Sequence, residues 1–105
     1  MKLKLVAAVA ALSLSSLAHA AGDPKAEALM KKSDCFSCHA VGNKVVGPSY
    51  KDVAKKYKGN AKAEATIEGV IKSGSKGAWG PVPMPPSPQV PAADAAAIAK
   101  WILSL

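Results

Sequence analysis

Between Pro81 and Pro91, six of eleven residues are proline. Neither a helix interior nor a central strand tolerates that density, because each proline lacks an N–H and fixes φ at about −65°. The chain must cross this stretch as a stiff loop, entered through a Gly- and Ser-rich run from Gly74 to Gly80. Regular structure is therefore expected on either side of it. Before it, Asp23-Pro24 reads as a cap followed by proline in the first turn, and Ala26, Leu29 and Met30 carry helical spacing to about Ser33. A loop from Ala40 to Ser49 contains Gly42, Gly47 and Pro48. Tyr50, Val53, Ala54 and Tyr57 recur at i, i+3, i+4 and i+7, which predicts a second helix stopped by Gly59-Asn60. A third is predicted from about Ala61 to Ser73, with Ile67, Val70 and Ile71 on one face and Gly74 as its stop. After the prolines, a last helix starts near Pro91 or Ala92, has Asp94 in its first turn, and carries an apolar stripe of Ile98, Trp101, Ile102 and Leu105. No segment alternates as a strand, and there is no internal repeat or linker. The expectation is a small all-α single domain of about four helices with one long, rigid loop.

The first twenty of the 105 residues read differently. Met1-Lys2-Leu3-Lys4 is a short basic start, Leu5 to Leu12 is apolar, and Ala18-His19-Ala20 fits the small-x-small cleavage rule. This order matches a secretory signal peptide, and its apolar part is too short for a permanent span, which needs about 20 residues. Residues 1–20 are thus expected to be removed, leaving a domain of residues 21–105 outside the cytoplasm, in the periplasm of a bacterium. Losing Lys2 and Lys4 lowers the formal charge from +7 to +5, and losing His19 leaves His39 as the only histidine. A chain of that size is near the lower limit for folding on its own core. Every basic residue is lysine, with no arginine for bidentate base reading, so nucleic-acid binding is not expected.

Cys35-Phe36-Ser37-Cys38-His39 is the chemically informative run. C-x-x-C-H is a c-type haem attachment spacing. Cysteines three apart on a helical turn share one face, so both thiols can add to the two vinyl groups along one porphyrin edge, and the next residue is carried under the iron. Imidazole is a normal axial ligand. Three other uses of the pair compete with this one. A disulfide would close only a tiny loop and stabilise little. A thiol–disulfide oxidoreductase would want a βαβ setting. A structural zinc site needs four ligands.

The chain beyond the signal has two methionines. Met30 lies on the apolar face of the first helix and reads as core. Met84 stands in Pro83-Met84-Pro85-Pro86. Prolines on both sides lower the entropy lost in holding sulfur on a metal, and Met/His ligation is a known arrangement for haem, so Met84 is the candidate second ligand.

These residues resemble the class I cytochromes c, in particular the short bacterial cytochrome c-551 type. The resemblance covers nearly all of residues 21–105. It rests on Cys35–His39, on Val45-Val46-Gly47-Pro48-Ser49-Tyr50-Lys51-Asp52-Val53-Ala54, on Ala99-Lys100-Trp101-Ile102-Leu103-Ser104, and most specifically on Gly77-Ala78-Trp79-Gly80-Pro81-Val82-Pro83-Met84-Pro85-Pro86. It implies a class I cytochrome c fold, helices wrapped around one haem c attached through Cys35 and Cys38. It implies His39 and Met84 as axial ligands, a Pro48 carbonyl accepting from the second nitrogen of His39, and a Trp79 indole N–H offered to a haem propionate. Trp101 lacks the flanking glycines of Trp79 and reads as core. The chain departs from the pattern at Asp34, where many relatives have Gly, at Val70, where several carry a basic residue, and at Ser87, where Asn is frequent.

Two protein ligands on iron leave no place for substrate, so the expected role is not enzymatic but outer-sphere electron transfer. The resemblance implies redox partner proteins: a quinol-oxidising complex upstream and a nitrite reductase, peroxidase or terminal oxidase downstream. Lys31, Lys32, Lys44, Lys51 and Lys76 flank the haem-binding segments and are candidates for steering acidic partners. No permanent membrane span and a monomeric state are expected. The rival readings are a small-molecule-binding haem enzyme or sensor with labile Met84 ligation, and a thiol–disulfide oxidoreductase.

Overall fold

The computed structural model describes residues 24–105. The expected signal peptide of residues 1–20 and the Asp23 cap lie outside the described residues. The described residues form four α-helices: α1 (Pro24–Lys32), α2 (Tyr50–Tyr57), α3 (Ala63–Ser73) and α4 (Ala92–Leu103). A single 3-10 turn covers Cys35–Ser37, and two short strands, β1 (Ser75–Gly77) and β2 (Gly80–Met84), lie between α3 and α4.

Local chemistry explains the helix ends. Pro24 opens α1, where a missing N–H costs nothing, and Glu27 near its start and Lys31 and Lys32 near its end complement the helix dipole. The buried Ser49 caps α2, its Oγ accepting from the N–H of Asp52 at 3.1 Å. Gly74 ends α3 with a positive φ of 79°, and its N–H donates to the carbonyl of Val70 at 2.8 Å. Helix α4 begins directly after Pro91, with Asp94 in its first turn.

Helix α4 is the centre of the core. Its buried residues Ala95, Ile98, Ala99, Trp101 and Ile102 meet Ala26 and Met30 of α1, Tyr50 and Val53 of α2, and Ile67 and Ile71 of α3. Helices α1, α2 and α3 each pack on α4. Met30 is 0% exposed, so the first methionine belongs to this core. Val70 and Tyr57 are half-buried and line the cavity described below, Tyr57 packing against the core as well.

The fold is mostly helical, as expected, but it is not purely so. β1 and β2 form a two-stranded antiparallel ribbon in which Gly77 pairs with Gly80 and Ser75 with Met84. Between these pairs Lys76 alone faces Pro81, Val82 and Pro83, an irregularity of register where two residues have no N–H to give. The prolines are tolerated because both strands of a two-stranded ribbon are edges. β2 is exposed along almost its whole length. It therefore carries no apolar alternation, which is why sequence periodicity did not reveal it.

Candidate functional site

A cavity of about 370 Å³ opens between the Cys35–Pro48 segment and the ribbon, within the usual range of roughly 300–1,000 Å³ for cofactor pockets. It is lined by Cys35, Cys38 and His39 of the motif, by Trp79, Val82 and Met84 of the ribbon, and by the apolar Val53, Ile67, Val70, Ile71, Ile98 and Ile102 of the helices. All six residues singled out from the sequence (Cys35, Cys38, His39, Pro48, Trp79 and Met84) line it. Met30 does not. No lysine lines it either, and Val70 presents an apolar side chain there.

The cysteine wall is built by local hydrogen bonding. The N–H groups of Cys38 and His39 both donate to the carbonyl of Cys35, at 3.3 and 3.0 Å, winding the motif into one turn. That turn starts from Asp34, whose φ of 57° and ψ of 22° are left-handed. Glycine adopts this conformation without a Cβ penalty; aspartate adopts it at a cost of about 1 kcal/mol. Asp34 thus takes at a cost the backbone shape that glycine takes freely. Burial raises the Cys35 thiol above its ordinary value, with a smaller rise from Asp34 and opposing contributions from its own backbone N–H and the Tyr50 hydroxyl. The Tyr50 phenol is raised as well, first by burial and then by Cys35.

His39 is held on three sides. Its Nδ1 lies 2.7 Å from the carbonyl oxygen of Pro48. A proline carbonyl can only accept, so Nδ1 carries the proton and donates, and Nε2 is left as the free lone pair. Tyr50 stacks on the ring at 5.0 Å with an interplanar angle of 28°. A Cβ on Gly47 would stand 2.5 Å from Cε1 of His39, so only glycine lets the backbone approach the imidazole this closely. The N–H groups of Val46 and Gly47 donate to the Cys38 carbonyl at 3.2 and 2.7 Å, and Tyr50 N–H to the Ala40 carbonyl at 3.0 Å, which folds the loop back beneath the ring.

Met84 ends β2, half-buried. Its backbone is seated against Gly74, where an added Cβ would lie 2.5 Å from the Met84 carbonyl oxygen and 3.0 Å from the nitrogen of Pro86. Ser87 N–H donates to the Ile71 carbonyl at 2.9 Å, fastening the loop to α3 just beyond the methionine. Trp79 stands at the ribbon's turn and is 39% exposed. Tyr50 and Gly47 were missed as site residues in the sequence. The spacing of Tyr50 marked it only as core, and Gly47 only as part of a turn.

The residues present fit a haem. Two thiols lie one turn apart, an imidazole presents an unprotonated nitrogen, a thioether comes from a distant segment, and the walls between them are mostly apolar. Such a fold and site define a small single-haem c-type cytochrome. The family model for cytochrome c matches residues 24–105, and the chain belongs to the cytochrome c family. It is 52% identical over 84 residues to cytochrome c-551 of Pseudomonas aeruginosa, covering 80% of this chain and 78% of that one. It is 47% identical over 98 residues to cytochrome c-552 of Nitrosomonas europaea, covering 93% and 90%. The crystal structure of wild-type Nitrosomonas europaea cytochrome c552 superposes with a TM-score of 0.74 at 51% identity, over 75% of this chain and 98% of that one. The chain is accordingly a haem electron carrier, with covalently attached haem c as its cofactor.

Proposed function

We propose that the protein is a periplasmic one-electron carrier whose single haem c is joined to Cys35 and Cys38 and ligated by His39 and Met84. Haem supplies the ferric–ferrous couple. The chain's own residues keep its coordination the same in both states and set its potential. Pro48 orients His39 and favours the tautomer with Nε2 free, and Tyr50 and Gly47 prevent the ring from rotating. The prolines around Met84 limit the conformations its backbone can reach, which would lower the entropy lost in holding its sulfur on the iron. Trp79 would offer its indole N–H to a haem propionate. His39 and Met84 would together hold the iron and leave no place on it for a substrate, which fits an electron carrier rather than an enzyme.

Export follows from residues 1–20, read as a signal peptide. Docking is assigned to the exposed apolar side chains Val45, Val46 and Val82 beside the cavity mouth, which are 54%, 50% and 60% exposed. Lys44, Lys51 and Lys76 are exposed in the adjoining segments. An apolar contact bordered by cations suits acidic redox partners, speeding encounter while the apolar centre permits rapid release. The partner classes are a quinol-oxidising complex as donor and a nitrite reductase, peroxidase or terminal oxidase as acceptor.

The observation that carries this reading is the convergence of Cys35, Cys38, His39 and Met84 on one apolar cavity. A redox-titrated absorption spectrum of protein made with haem-attachment machinery tests it. The ferric form is expected to show a weak far-red sulfur-to-iron band, and the untreated ferrous form to bind no carbon monoxide. In Met84→Ala the band disappears, the potential falls strongly and carbon monoxide binds. A wild type with high-spin features and ready carbon monoxide binding would instead indicate the labile-ligand enzyme or sensor.

A further inference from the structure

Lys56, in the last turn of α2, makes a set of contacts that none of the functions above uses. Its Nζ donates to the carbonyl of Ala78 at 3.3 Å and stands over the Trp79 ring, 4.4 Å from the centroid. It also stands over the Tyr57 ring, 5.8 Å from the centroid. Ala78 and Trp79 are the two residues that connect β1 to β2, between the paired Gly77 and Gly80. One ammonium group thus grips the tip of the ribbon twice, through a backbone acceptor and through an aromatic face.

The ribbon has few other restraints. β2 is exposed along Gly80 to Pro83, contributes nothing to the buried core, and places Met84 at its far end. Helix α2, by contrast, is anchored in the core by Tyr50, Val53 and Ala54, and its cap Ser49 directly follows Pro48, the acceptor for His39. Lys56 joins these two parts of the molecule through its contacts with Ala78 and Trp79.

We propose that Lys56 is a positioning residue: it ties α2 to the Ala78–Trp79 turn and thereby holds the Met84-bearing ribbon in place over the cavity. The consequence for Met84 rests on its reading as a ligand; the tie itself does not. A lysine meets both requirements, since its flexible stem reaches the turn and its compact charge attracts the negative face of the indole.

The test uses the holoprotein and compares Lys56→Met, which keeps the length and apolarity of the side chain, with Lys56→Arg, which keeps the cation and a donor. Lys55→Met is the control, removing the same charge from an adjacent exposed position. Two readings are taken: amide hydrogen exchange across Ser75–Met84, and the concentration of added imidazole that abolishes the far-red sulfur band. Losing a hydrogen bond and a cation–π contact together is expected to speed ribbon exchange about tenfold in Lys56→Met. Imidazole is expected to compete at about tenfold lower concentration by the same reasoning. Lys56→Arg should recover most of both, and Lys55→Met should change neither. Ribbon exchange within twofold of wild type in Lys56→Met, or an equal effect from Lys55→Met, would overturn the proposal. Accelerated ribbon exchange in a protein whose wild type lacks the sulfur band would support the tie and remove only the Met84 reading.

Discussion

The two sides of the cavity are held in different ways. On the histidine side, a single short segment supplies both thiols and the imidazole, and every restraint on the ring comes from within about a dozen residues: the Pro48 carbonyl, the Gly47 backbone and the Tyr50 ring. That segment is continuous with α2, which is capped by Ser49 and buried against α4. On the methionine side, the ligand candidate sits at the end of an exposed ribbon that belongs to no helix. It is held by a backbone contact with Gly74, a hydrogen bond from Ser87 to α3, and the grip of Lys56 on the turn. The first side is held by a hydrogen bond, a close backbone contact, ring stacking and burial. The second is rigid through proline and a few remote contacts. Lying outside the buried core, the Met84 side is expected to yield before the His39 side.

The sharpest way to break that asymmetry is to crowd each side by one methyl group. Gly74→Ala places a side chain at a φ of 79° and drives it into the Met84 carbonyl and the Pro86 nitrogen, neither of which has a side chain that can turn aside. A left-handed non-glycine residue costs roughly 1–3 kcal/mol and overpacking a similar amount, so a loss of about 3 kcal/mol is expected. Denaturant titration measures it, and the sulfur band should weaken while histidine ligation persists. Gly47→Ala crowds the imidazole instead and is expected to cost about 2 kcal/mol by overpacking alone. Its spectrum should report a disturbed histidine with the sulfur band retained. Equal loss of the sulfur band in both variants would erase the distinction between the two sides.

A gentler change sharpens the same comparison. Ser49→Ala removes the cap of α2, which is expected to cost about 1 kcal/mol. Because Pro48 is fixed by its ring and by the loop beneath His39, the stability should fall with little change in potential. A potential that moved as much as in Gly47→Ala would mean that the cap orients the histidine.

The histidine side was also the more legible in the sequence, for the same physical reason. Where function is encoded in consecutive residues, as in Cys35–His39, spacing alone carries the chemistry. The helix carrying Tyr50 and Val53 was visible as periodicity because one of its faces is buried. The prolines announced a rigid segment and Met84 stood out among them. The ribbon did not, because its pairing is made by backbone groups while its side chains face solvent, so no alternation is written into them. Asp34 was marked only as a departure; its left-handed backbone shows that the turn demands the shape of glycine even where glycine is absent. Lys56 was indistinguishable from Lys55, its neighbour in sequence. Only the fold separates the lysine that reaches Trp79 from the one that does not.

The central claim is that Met84, and not the core residue Met30, joins His39 on the iron. Proton NMR of the reduced protein labelled at the methionine methyl groups tests it directly. The Met84 methyl is expected far upfield, shifted by the ring current of the porphyrin beside it, and assigned by its disappearance in Met84→Ala. The Met30 methyl should remain in the ordinary aliphatic range. If neither methyl were displaced, or if the displaced signal vanished in Met30→Leu and survived in Met84→Ala, the account of the site would be wrong.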